Sequence, residues 1–151
     1  MSNVSATDLF GQDIALDGDW QPVILADGSL ALCDGCDTAT QDIALRLYTV
    51  LGMLFYDVQF GSLVMMFAKD ESTPFTRAAL CAEAVRRINA DPAVKVGSAT
   101  CSVLKWDEQA VTLTAGYTLI TDTHPSNMVF SIDVETMTLR VADLVADADP
   151  R

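Results

Sequence analysis

Four cysteines, one histidine and 21 acidic residues are the groups in this 151-residue chain with chemistry to offer. Cys33 and Cys36 stand in the stretch CDGC, whose two-residue gap lets a pair of thiolates grip one metal ion or close a redox disulfide. A zinc site needs a second close pair, and the other thiols, Cys81 and Cys101, are twenty positions apart, on an expected helix and an expected strand. Asp34 and Gly35 are turn formers that account for the local sequence without chemistry. All four are read as reduced thiols, and no metal or cofactor is expected; a small binding module with a CxxC metal site is the competing reading.

His124 is followed by Pro125 in an expected loop, with Ser126 close by. A Ser-His nucleophile also needs an orienting acid and an oxyanion hole, and no nucleophile-elbow sequence occurs, so His124 is read as a loop residue. Two carboxylates can serve as acid and base on a glycan. Glu83 on an expected helix and Asp57 beyond an aromatic cluster are candidates, but one sequence cannot set two of 21 acids across a cleft. Neither a phosphate-cradling glycine loop nor a calcium loop is present. No catalytic residue is assigned.

Nine Lys and Arg against 21 Asp and Glu give a formal net charge of -12. That balance repels nucleic acid and anionic lipid, so neither is expected as a partner. Apolar runs are only a few residues long, far short of a membrane span, and the opening MSNVSATDLF lacks the form of a secretion signal. A cytoplasmic product is expected.

The elements follow from periodicity. Residues 1 to 12 read as an N-terminal arm. Strands near 22 to 26 and 29 to 33 meet at Asp27-Gly28, a hairpin signal. A first helix is expected with Thr38 as N-cap, Gln41 completing a capping box, Ile43, Leu47 and Val50 or Leu51 inward, and Gly52 as its C-terminal stop. Leu63, Met66 and Phe67 suggest a short helix within 63 to 72. Pro74 to Ala90 reads as a second helix with Ala78, Ala82, Val85 and Ile88 or Asn89 on one face and Asp91-Pro92 ending it. From there the period becomes two. Strands are expected over 94 to 106, 110 to 121 and 128 to 135, with the WDEQ stretch as a turn. Val111, Leu113, Ala115, Tyr117 and Leu119 share one face of the central strand. A last strand is expected over 137 to 142. The fold class expected is α+β, two main helices packed on an antiparallel β-meander with an N-terminal β-hairpin. The domain spans 13 to 135, and 136 to 151 hold an edge strand and an acidic tail.

The order of parts, GSLALCDG, QDIALRLYTVLG, YDVQFGS and a helix running into DPAV before an antiparallel meander, resembles the lysozyme-like baseplate wedge family of contractile-tail phages and its sheath-initiator relatives in other contractile injection systems. The resemblance covers about residues 11 to 135. Gln41, Ile43, Arg46, Leu47, Thr49 and Gly52 look like the family's first-helix signature, Asp57, Phe60 and Gly61 like the turn after it, and Asp91, Pro92 and Val94 like the end of its second helix. Many members carry a Glu right after the glycine and an Arg within a couple of residues; Met53, Leu54 and Phe55 stand there, so the contact made by that cluster should be more apolar. The resemblance implies a non-enzymatic virion structural protein of the tail baseplate, made in the host cytoplasm, that joins the wedge to the first sheath ring and initiates sheath assembly by strand addition. It implies as partners other wedge subunits, the tail sheath protein and central hub or spike proteins. The interface is expected at Arg46, Gly52, Met53, Leu54, Phe55, Tyr56, Asp57, Phe60 and Gly61, with Phe55, Tyr56 and Phe60 anchoring the turn to the core or to a partner. The rival expectation is a peptidoglycan-cleaving baseplate lysozyme using paired carboxylates.

Overall fold

A computed structural model describes residues 10 to 17 and 20 to 146, with side chains to 141. The chain forms β1 (Gln12–Ile14), β2 (Leu32–Asp34), α1 (Gly35–Tyr48), α2 (Val64–Phe67), α3 (Pro74–Asn89), β3 (Thr100–Trp106), β4 (Ala110–Tyr117), β5 (Ser126–Asp133) and β6 (Thr138–Ala146). β1 and β2 pair antiparallel, and β3-β4-β5-β6 form an antiparallel meander in chain order. This is the expected α+β fold, helices on a meander with an N-terminal hairpin.

The meander follows its alternation closely. Val111 pairs with Ile132, Leu113 with Phe130 and Ala115 with Met128, so these residues share one face, and all are fully buried. Ile43 and Leu47 of α1, Val64 and Met65 of α2, and Leu80, Ala84 and Ile88 of α3 complete the core. Asp107 Oδ1 accepts from the amides of Gln109 and Ala110, which makes WDEQ the β3-β4 turn. β3 starts at Thr100 rather than 94, though Val94 still bridges Leu119. Both outer strands carry bulges, where the register shifts between Val103 and Lys105 and opposite Val129 and Phe130.

Several expectations need correction. The ladder in the N-terminal hairpin joins 12–14 to 32–34, whereas 22 to 30 contributes single bridges, Ile24 to Leu30 around the Asp27-Gly28 turn and Pro22 to Leu16. Its early strand begins at Gln12, the last residue assigned to the arm, and runs into residues for which no strand was expected. Phe10 packs on the core, and Gly11 O accepts from Gly35 N and the Thr38 hydroxyl; the arm's remaining residues, 1 to 9, lie outside the described ones. Thr38 is thus an interior helix residue, and Asp34 occupies the N-cap without a side-chain bond. Gln41 does not cap either: it donates to Ile14 O and accepts from Leu16 N, both at 2.9 Å, locking the hairpin to α1. α1 ends at Thr49, whose extended backbone and hydroxyl bond to Leu45 O (2.7 Å) stop it before Gly52.

α3 begins as read, with Pro74 in the first turn and a capping box between Thr73 and Thr76. Its buried face is rotated from the one expected: Ala78 and Ala82 are exposed, and Leu80, Glu83, Ala84 and Ile88 face inward. Burying Leu80 removes far more apolar surface from water than burying Ala78 or Ala82, and that difference sets the phase. Replacing Leu113 with Ala should lower stability by about 3 kcal/mol in urea unfolding, the cost of a cavity where β4 meets the helices.

Candidate functional site

Between α1 and α2 the chain makes a closed loop. Ser62 N donates to Thr49 O at 2.9 Å and Leu51 N to Ser62 O at 3.1 Å, and Val50 and Ser62 form a parallel bridge. The two ends therefore touch, and residues 50 to 61 form a compact Ω-type excursion. Inside it, Met53 N donates to Val50 O across a turn that needs Gly52 at φ +87, and Asp57 O and Oδ1 accept from Phe60 N and Gln59 N.

Three devices hold the neck. Gly61 sits at φ +121 so close to the returning chain that a Cβ there would lie 2.8 Å from Thr49 O and 3.0 Å from Leu51 Cα. The Ser62 hydroxyl, fully buried, donates to Leu47 O at 2.8 Å. Glu83, buried on α3, accepts from Leu63 N at 2.7 Å and from Arg87 Nε at 3.0 Å, and pairs with Arg86. Burial pushes the Glu83 carboxyl up, but the bonds from Arg86, Leu63 N and Arg87 outweigh it and hold it below the usual range.

On this frame the loop turns its apolar side chains outward. Phe55 is 92% exposed, Tyr56 73% and Met53 72%, with Phe55 and Tyr56 edge to face at 5.2 Å. Gly52 and Asp57 are exposed, and Leu54 is half-buried. Phe55 and Tyr56 do not anchor the turn to the core. Phe60 does stay at the loop's base, under the Arg46 guanidinium, which lies 4.7 Å from its ring centroid. Val58, also exposed, extends the patch and was missed because it stands alone between Asp57 and Gln59. Glu83 was missed as an anchor, although Arg86 and Arg87 at three and four positions carried the signal.

Beneath the loop, a cleft of about 510 Å³ is walled by Phe10, Phe60, Pro92 and Ile120 and contains Asp42, Arg46 and Asp91. Arg46 Nε reaches Asp91 Oδ2 at 3.4 Å, and Asp91 Oδ1 accepts from Ala93 N. Burial, then the charges of Asp91 and Asp13, push the Asp42 carboxyl up against the opposing pull of Arg46. The acids weighed from sequence are occupied otherwise, Glu83 by three donors and Asp57 by its own loop.

The thiols fall into two places. Cys33 accepts from the Thr38 hydroxyl at 3.6 Å and Cys36 lies 3.8 Å from Thr121 Oγ1. Cys81 and Cys101, distant in sequence, lie side by side, and burial together with Cys81 pushes the Cys101 thiol far up. Among the described residues, no group of three or more His, Cys, Asp or Glu could hold a metal ion, and no helix is long and apolar enough to cross a membrane.

No protein-family model matches the chain, and no curated protein matches it.

Gly61→Ala should cost about 2 kcal/mol or more through its positive φ and the clash with Thr49, read as a fall in melting temperature of roughly 4–8 °C. The Glu83 carboxyl is depressed in the folded state, so its stabilisation is present above the unfolded value of 4.5 and lost as pH falls through the folded value. Glu83→Ala should therefore lower stability by about 3 kcal/mol at pH 7, and the gap to wild type should close in acid. Asp42 has the opposite sign: Asp42→Asn should raise the melting temperature at pH 7, with the gain gone below the unfolded value of 3.8.

Proposed function

We propose that this chain is a structural subunit of a contractile-tail baseplate, in a phage or a related injection machine, which joins the wedge to the first sheath ring and initiates sheath assembly by strand addition. The observation that carries this reading is the apolar loop of Met53, Phe55, Tyr56 and Val58, held out from the domain on a neck fastened by Gly61, Ser62 and Glu83. Several large apolar side chains in one exposed loop are costly in water and are the residue types that dominate interfaces. The loop falls where the baseplate family's charged cluster is replaced by Met53, Leu54 and Phe55, so a wedge partner meeting it presents an apolar pocket.

The meander supports the sheath-facing half of the proposal. β3 and β6 are its two outer strands, and among the described residues neither pairs with a further strand on its outer side, where an incoming strand would add. On β6, Trp20 Nε1 donates to Leu139 O at 2.7 Å, which takes up part of that edge. A strand added to β6 therefore pairs beyond Leu139.

A hydrolase reading has one observation in its favour, the meeting of Asp42 and Asp91 in one cleft with Asp42 shifted toward its protonated form. The Arg46 and Ala93 bonds already made by Asp91 count against it as a free base or nucleophile.

Co-expression with the wedge and sheath proteins encoded beside it, followed by size-exclusion chromatography with light scattering, should yield a stable complex. Phe55→Ser should weaken wedge binding about tenfold or more with an unchanged melting temperature, since the ring is outside the core. A monomer with every such partner, together with loss of cell-wall turbidity that Asp42→Asn abolishes, would replace the baseplate reading with the hydrolase one.

A further inference from the structure

The N-terminal ribbon carries a second apolar surface, remote in sequence from the aromatic loop. Ile14 pairs with Leu32 and Ile24 with Leu30, and Leu30 and Leu32 are two residues apart, so pairing and alternation set all four on one face. All four are exposed, Ile24 by 67% and Leu32 by 63%. The opposite face is the one α1 covers: Cys33 meets Thr38 there, and Gln41 bonds to Ile14 and Leu16. A two-stranded ribbon with a helix on one face and bare aliphatic side chains on the other lacks its second covering layer.

The charge around this face says what covers it. The first 45 residues contain eight aspartates and no glutamate, lysine or arginine. Asp34 shares the apolar face with Leu32, and Asp27 sits at the turn beside Leu25 and Leu30; both are exposed. Hydrogen bonds from the Ser29 hydroxyl and amide hold the Asp27 carboxyl below its usual range and keep it ionised. A second copy of the ribbon would bring carboxylates against carboxylates.

We infer that the Ile14, Ile24, Leu30 and Leu32 face is a docking surface for a basic amphipathic helix of another protein. That helix lays its apolar stripe on the four aliphatic residues and sets flanking Lys or Arg against Asp27 and Asp34. Its apolar contact gives affinity, and the carboxylate rim selects against acidic helices and against self-association. The docking surface is independent of whether the chain belongs to a baseplate, because it shares no residue with the aromatic loop.

The test uses the full chain and a fluorescein-labelled Leu/Lys amphipathic peptide of about 14 residues, long enough to form a helix on binding, with a Leu/Glu peptide of the same apolar pattern as comparison. Fluorescence anisotropy in 0.15 M salt should show saturable binding of the Leu/Lys peptide only. Ile24→Ser combined with Leu32→Ser should weaken it about tenfold or more with an unchanged circular dichroism spectrum. Asp27→Asn combined with Asp34→Asn should weaken it and flatten its salt dependence. Val96→Ser, which removes an exposed apolar residue outside the ribbon, should bind as wild type. Equal binding by the Ile24→Ser, Leu32→Ser protein would overturn the inference as mere charge attraction. So would a dimer of the wild type, seen by light scattering, that this double variant separates, since the occupant would then be a second copy. Failure of the wedge complex to form would leave these outcomes unmoved, so the two readings fail separately.

Discussion

The Glu83 carboxylate, buried between the end of the aromatic loop and α3, is shared by the Leu63 amide and two guanidinium groups. Burying an ionised acid is costly, and it persists here because its charge is matched and its oxygens are bonded. The return is positional. Leu63 follows Ser62, whose amide and hydroxyl reach back to Thr49 and Leu47, so one acid on α3 fastens the point where the loop rejoins the helical layer. α3 itself is seated on the meander through Leu80, Ala84 and Ile88, and through them the loop's neck is tied to the sheet.

A loop so fastened can display apolar side chains without collapsing onto the core. Phe60 and Leu54 remain at the base, and Phe60 is covered by Arg46, whose other contact is Asp91 at the end of α3. Arg46 thus joins α1, the loop and the α3 terminus through one delocalised cation suited to ring stacking and carboxylate pairing at once. Phe55, Tyr56 and Met53 are left in solvent, the arrangement expected where burial is completed by another molecule.

The two exposed apolar surfaces differ in their electrostatic setting. The aromatic loop has Arg46 at its base, whereas the ribbon belongs to a segment with aspartates as its only charged residues. The two proposed contacts therefore call for partners of different charge.

Alternation made the β4 and β5 faces legible residue by residue, because a strand's side chains have only two directions and the helix layer takes one of them. Pro74 and the Asp91-Pro92 pair marked α3 by local chemistry that needs no tertiary partner. What local rules left open was decided by long-range contact. Thr38 and Gln41 have the form of a capping box, yet Gly11, Ile14 and Leu16 drew their side chains away, and the partner for β2 came from residues 12 to 14, where no strand was expected. The face of α3 was set by where Leu80 and Glu83 found their partners. The aromatic cluster was visible as residue types in the sequence; that it points outward was settled only when Gly61, Ser62 and Glu83 closed the neck, since exposure depends on which surfaces other elements have already filled.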